Sequence, residues 1–134
     1  PEIGWSEISS IDDKSNAETS IMIKEPLKVL HWHGDRIILP PQAELLASSN
    51  RCREQLFKVG ELMYGLQFHV ETEGLMTSDW IKNDKKFIIS GLGKNGQKIL
   101  KNQCSKFEAS TLNERILFIQ KIIDKIIEHK KTSL

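Results

Sequence analysis

Large apolar residues recur at every second position along one stretch of the chain. Leu62, Tyr64, Leu66, Phe68 and Val70 hold the even positions, while Gln67, His69 and Glu71 hold odd ones. A period of two belongs to a strand with one buried face, so the pattern predicts a strand over 62–71. Shorter apolar runs predict strands over 2–8, 29–33, 44–49 and 55–59. Gly34-Asp35 reads as a hairpin turn sending a strand back over 36–39, where Pro40-Pro41 stops it. The polar run 12–20 reads as a loop.

Beyond Glu71 the period changes from strand to helix. Short helices are predicted over 77–80 and 97–101, and a long one over 111–131. In the long helix Leu112, Ile116, Ile119, Ile123 and Ile126 recur at three- and four-residue spacing, an apolar stripe suited to docking on a core. Thr111 with Glu114 reads as a capping box, and His129, Lys130 and Lys131 complement the negative end of the helix dipole.

The alternating strand carries the first candidate chemistry. His69 and Glu71 leave the same face about 7 Å apart along the backbone, within reach of a carboxylate for an imidazole nitrogen. A carboxylate held there fixes the ring tautomer and favours its protonated form, which makes the pair two thirds of a nucleophilic triad. A histidine satisfied beside a solvated glutamate is the plainer reading of the same residues.

Three further groupings compete with it. Gly91-Leu92-Gly93-Lys94-Asn95-Gly96 spells Gly-x-Gly-x-x-Gly after the apolar Phe87-Ile88-Ile89. A dinucleotide site would need a longer strand before it and an acid-tipped strand about twenty residues on, so a turn between helices accounts for the glycines better. His31 and His33 share a strand face and could join His69 as zinc ligands, but no fourth ligand is evident and Glu71 is better placed to orient His69. Cys52, between Arg51 and Arg53, and Cys104 are the thiols of the chain; neither sits in a setting that marks a nucleophile, and both read as reduced and inert.

Composition narrows the class. The 134 residues, 39% hydrophobic and 28% charged, suit one globular domain. A net charge of +1 gives no electrostatic case for nucleic acid or an acidic membrane, and no apolar run spans a bilayer. The expected location is cytoplasmic, and no cofactor or metal is expected.

Trp32-His33-Gly34-Asp35, Leu39-Pro40, Leu46-Ala47-Ser48-Ser49, Gln55 and Gln67-Phe68-His69-Val70-Glu71 occur in the order and spacing of a known family. Together with Glu2-Ile3-Gly4-Trp5 they resemble the second half of a class I, triad-type glutamine amidotransferase domain like that of GMP synthase. The resemblance covers residues 1–71 and weakens through the helices. Many members have proline where this chain has Val70.

The resemblance implies a flavodoxin-like α/β fold: a mixed sheet with a small antiparallel sheet beside it and flanking helices. On this reading residues 1–134 are part of such a domain, and the half bearing the nucleophile lies upstream of Pro1. It implies hydrolysis of the glutamine side-chain amide by a Cys-His-Glu triad, with His69 as acid–base and Glu71 as its orienter. His33, Gly34 and Asp35 are the implied substrate contacts. The substrate would be glutamine or a γ-glutamyl compound, with a synthetase partner receiving the ammonia. Trp32 stands where ammonia-donating relatives often carry a small polar residue, which brings γ-glutamyl peptides forward. A catalytically inert remnant or interaction module is the reading from another class, and an open sheet edge would favour self-association.

Overall fold

The computed structural model describes residues 1–11 and 23–132. Its strands are β1 (Glu2–Ser10), β2 (Leu27–His33), β3 (Ala43–Ser49), β4 (Leu56–Val59) and β5 (Met63–Leu66). The helices are α1 (Gly74–Asn83), α2 (Lys85–Leu92), α3 (Gly96–Phe107) and α4 (Leu112–Thr132). The strands form one sheet in the order β2-β1-β3-β4-β5. Every described strand pairing is antiparallel.

Side-chain alternation divides the core between the two faces of this sheet. Ile8 opposite Leu27 faces one side, where Val29, Leu46, Leu56 and Phe68 meet Phe118 and Ile122 of α4. Ile3 opposite Trp32 faces the other, where Ile81, Ile88 and Leu100 of α1, α2 and α3 gather. The result is three layers, helices on both faces of an antiparallel sheet.

The sheet also curls until its ends meet. β5 terminates one edge and β2 the other, yet the backbone N–H of His69, three residues past β5, donates to the Leu30 carbonyl of β2 at 2.8 Å. The predicted strand over 62–71 is therefore shorter than its pattern. Leu62 is exposed, the ladder ends at Leu66, and the alternation continues only because Phe68 and Val70 still pack on the core as the chain crosses to β2.

Other expectations differ from the structure for identifiable reasons. Residues 36–39 form no strand: β2 is already paired with β1 and bridged at Leu30 by His69, and Ile38 is 90% exposed. The apolar run at Phe87 lies within helix α2. In α4 the face turned to the core is centred on Arg115, Phe118 and Ile122, while Ile116 and Ile123 of the predicted stripe are 56% and 43% exposed. Thr111 makes no capping box; its hydroxyl donates to the Phe107 carbonyl and accepts from Arg115 Nε. The loop expected over 12–20 lies outside the described residues.

The glycine-rich run is a helix junction. A Cβ at Gly91 would stand 2.5 Å from Ile3 Cγ2, so its absence lets α2 lie on β1. Gly93 ends α2 with φ of 73°, the left-handed region that glycine enters without steric cost. Among the described residues no helix is long and apolar enough to cross a membrane.

Candidate functional site

The residues at the closure of the sheet bring the sequence candidates together. His69 Nδ1 lies 2.8 Å from Glu71 Oε1, and Glu71 Oε2 accepts the Val70 N–H at 2.9 Å. Burial acts to raise the Glu71 carboxyl, but the hydrogen bond from His69, those from the backbone and the imidazole charge together hold it below the ordinary glutamate range. An ionised Glu71 accepts a hydrogen bond from Nδ1–H, leaving Nε2 as the nitrogen able to exchange a proton with a substrate. Among the described residues Nε2 has no protein hydrogen-bond partner.

The ring is held from its side as well as its edge. Trp80 of α1 meets it nearly perpendicular, at 70° and 5.0 Å between centroids, and Trp32 of β2 stands against Trp80 at 5.5 Å. Trp32 Nε1 donates to Asp84 Oδ2 at 2.9 Å. Behind the pair, Arg115 is fully buried, and its Nη1 donates to the carbonyls of Val70 and Thr72, the residues flanking Glu71. Its Nη2 donates to the Glu108 carbonyl at 2.7 Å. Arg115 thus ties the His69–Glu71 turn to α4. Sequence reasoning missed it because it interrupts no motif; the signal was a single cation one residue beside an apolar stripe.

His33, Gly34 and Asp35 lie at the end of β2. His33 turns both ring nitrogens to the protein, Nδ1 at 2.9 Å from the Asp35 carbonyl and Nε2 at 3.1 Å from Glu2 Oε2. Gly34 and Asp35 are exposed. Gln67 Nε2 donates to the Asp35 carbonyl at 3.1 Å, which links this turn to the stretch carrying His69.

The three histidines do not form one cluster of ligands. His31 and His33 gather around Glu2, with ligand atoms of these three residues within 4.8 Å of one another. Such a set could hold a metal ion, but the Glu2 oxygens already accept hydrogen bonds from Ser49, Gln55 and His33. His69 lies instead against the tryptophans. The thiols are unsuited to the nucleophile's part: Cys52 is buried in the turn before β4, and burial pushes the half-buried Cys104 thiol up from its ordinary value. A cavity of about 750 Å³ runs between α1 and α3 and contains neither His69 nor Glu71.

No protein-family profile matches the chain. Over 69 residues it is 35% identical to the glutamine amidotransferase-like protein YfeJ of Salmonella typhimurium, a match covering 52% of this chain and 29% of that one. In sequence and in fold the chain resembles the glutamine amidotransferases. A glutamine amidotransferase from Methylobacillus flagellatus superimposes with a TM-score of 0.70 at 18% identity, covering 95% of this chain and 52% of its own. A Thermoplasma acidophilum protein assigned to GMP synthase superimposes with a TM-score of 0.55 at 19% identity, covering 99% and 48%. At these identities the solved structures establish the fold. The chain spans about half the length of these solved proteins and less than a third of YfeJ.

Proposed function

We propose that this chain carries the acid–base half of a glutamine amidotransferase-like site, which cleaves the γ-amide of a glutamyl substrate. The observation that carries the reading is the hydrogen bond from His69 Nδ1 to Glu71 Oε1, which directs Nε2 outward. A cysteine thiolate from outside these 134 residues attacks the amide carbon, the C–N bond breaks, and His69 Nε2 gives its proton to the departing nitrogen. Water, deprotonated by the same nitrogen, then hydrolyses the thioester and releases glutamate and the thiol. Glu71 acts through His69 as a positioning residue. The exposed Gly34-Asp35 turn, braced by His33 and Gln67, is suited to holding the amino-acid end of the substrate.

Glutamine is the simplest such amide, with a synthetase as the partner for released ammonia; the relative assigned to GMP synthase supports that arrangement. Trp32 and Trp80 beside His69 favour a larger γ-glutamyl compound as the second reading. The cytoplasm is the proposed location. The β5 edge, paired only with β4 among the described strands, is the surface for any self-association.

The test is ammonia release from glutamine by the protein as its cell makes it, compared with its His69→Ala variant. We expect release by the parent and a loss of about 100-fold or more in the variant. Equal rates would refute the assignment of His69.

A further inference from the structure

The ring of His69 opens onto a cleft of about 400 Å³ lined by Trp32, His69, Asp79, Trp80, Asn83 and Asp84. A general acid hands its proton to the leaving nitrogen, so a cleft beside the His69 ring is within reach of a substituent carried on that nitrogen. Ammonia needs only the room of a water molecule, about 30 Å³. The cleft is an order of magnitude larger, and its walls have a definite chemistry: two indole rings, two aspartates, one asparagine and no lysine or arginine. Indole faces attract cations through their negative quadrupole, and carboxylates beside them add charge attraction.

We propose that this cleft receives the leaving amine of an N-substituted γ-glutamyl amide, one whose amine carries a second, positively charged nitrogen on an apolar stem. The proposal rests on the γ-amide cleavage described above and names its substrate class. The stem lies along the joined surface of Trp32 and Trp80, and the distal ammonium meets Asp79 and Asp84. Asp84 is already fixed by the Trp32 indole N–H, which orients ring and carboxylate together before any ligand arrives. The reaction balances as for glutamine: sulfur replaces nitrogen on the γ-carbonyl, His69 protonates the nitrogen that leaves, and a diamine departs in place of ammonia.

Calorimetric titration of the 134-residue chain tests this without turnover. The probes are γ-glutamyl-1,4-diaminobutane and γ-glutamylbutylamide, which share the glutamyl group and the stem and differ in the distal charge. The diamine conjugate should bind about tenfold more tightly, and Asp79→Asn with Asp84→Asn should erase the difference. If the double variant does not fold, Asp79→Asn alone, at an exposed position on α1, should reduce it. Equal affinity of the two probes, or a preference that survives the asparagines, would overturn the proposal. Equal affinity alongside measured cleavage of glutamine would overturn this inference alone. A cation preference in a protein that cleaves no γ-amide would overturn the leaving-group role.

Discussion

The backbone N–H of His69 donates to the Leu30 carbonyl at 2.8 Å, so the residue that carries the acid–base ring also joins the two ends of the sheet. A ring fixed to a closed sheet loses little further freedom when a substrate binds. The His69 amide should exchange with deuterium far more slowly than the amide of Ile38, which lies in the exposed stretch after β2. Residue-resolved exchange by NMR checks this, and similar rates would show that the closure opens freely.

Glu71 is expected to act through His69 and not on substrate binding. Glu71→Gln in the natural protein should lower kcat by about 10²- to 10⁴-fold, because an amide can hold Nδ1 in the wrong tautomer and cannot stabilise the imidazolium. KM should change little. A raised KM with unchanged kcat would place Glu71 in binding instead.

Arg115 should matter more to stability than any other cation of α4. Its side chain holds the carbonyls of Val70, Thr72 and Glu108, and its removal withdraws that donor from all three, one in a buried and two in part-buried hydrogen bonds. Arg115→Met is expected to cost about 2–4 kcal/mol in denaturant unfolding. Arg115→Lys should recover only part of that loss, since an ammonium lacks the planar fork. A change below about 0.5 kcal/mol would mean the turn holds without it.

His31 gives the fold an acid-sensitive point. It is fully buried, neither ring nitrogen has a hydrogen-bond partner among the described residues, and its pKa is lowered from 6.5 to about 4. Burial is the main cause; nearby His33 and His69 act in the same direction, while Glu2 and a weak contact with the Ser6 backbone oppose it. The unfolded chain then binds this proton more readily than the folded one. The neutral ring contributes its full stability above pH 6.5 and loses it as pH falls toward 4, roughly 3 kcal/mol in all. Thermal unfolding of His31→Leu across this range should show a shallower pH dependence than the parent, with the Glu71 contribution falling away only in the acid carboxylate range. Parallel curves would contradict this.

How far the sequence disclosed all this depended on whether a signal was local. The His69–Glu71 hydrogen bond follows from two residues one strand repeat apart, and the five strands from short apolar runs between turn residues. The sheet order was not legible, because the contact of His69 with Leu30 joins positions 39 residues apart and leaves no mark on either stretch. The return strand over 36–39 failed for the same reason: its hairpin signal was sound locally, but β1 and His69 had already claimed the edges of β2. The core face of α4 was placed only in part: Ile119 and Ile126 of the stripe pack on the core, but a buried arginine looks like a surface residue until its acceptors are known. Trp80, Asp79 and Asp84 joined the site only through the docking of α1 beside β2.

The most direct measurement is the nitrogen-15 spectrum of the His69 ring at neutral pH. A proton on Nδ1 is expected, with Glu71→Gln disturbing that preference. An Nδ1 that carries no proton in the parent would mean that Glu71 does not set the ring, and the acid–base role drawn for this pair would fall.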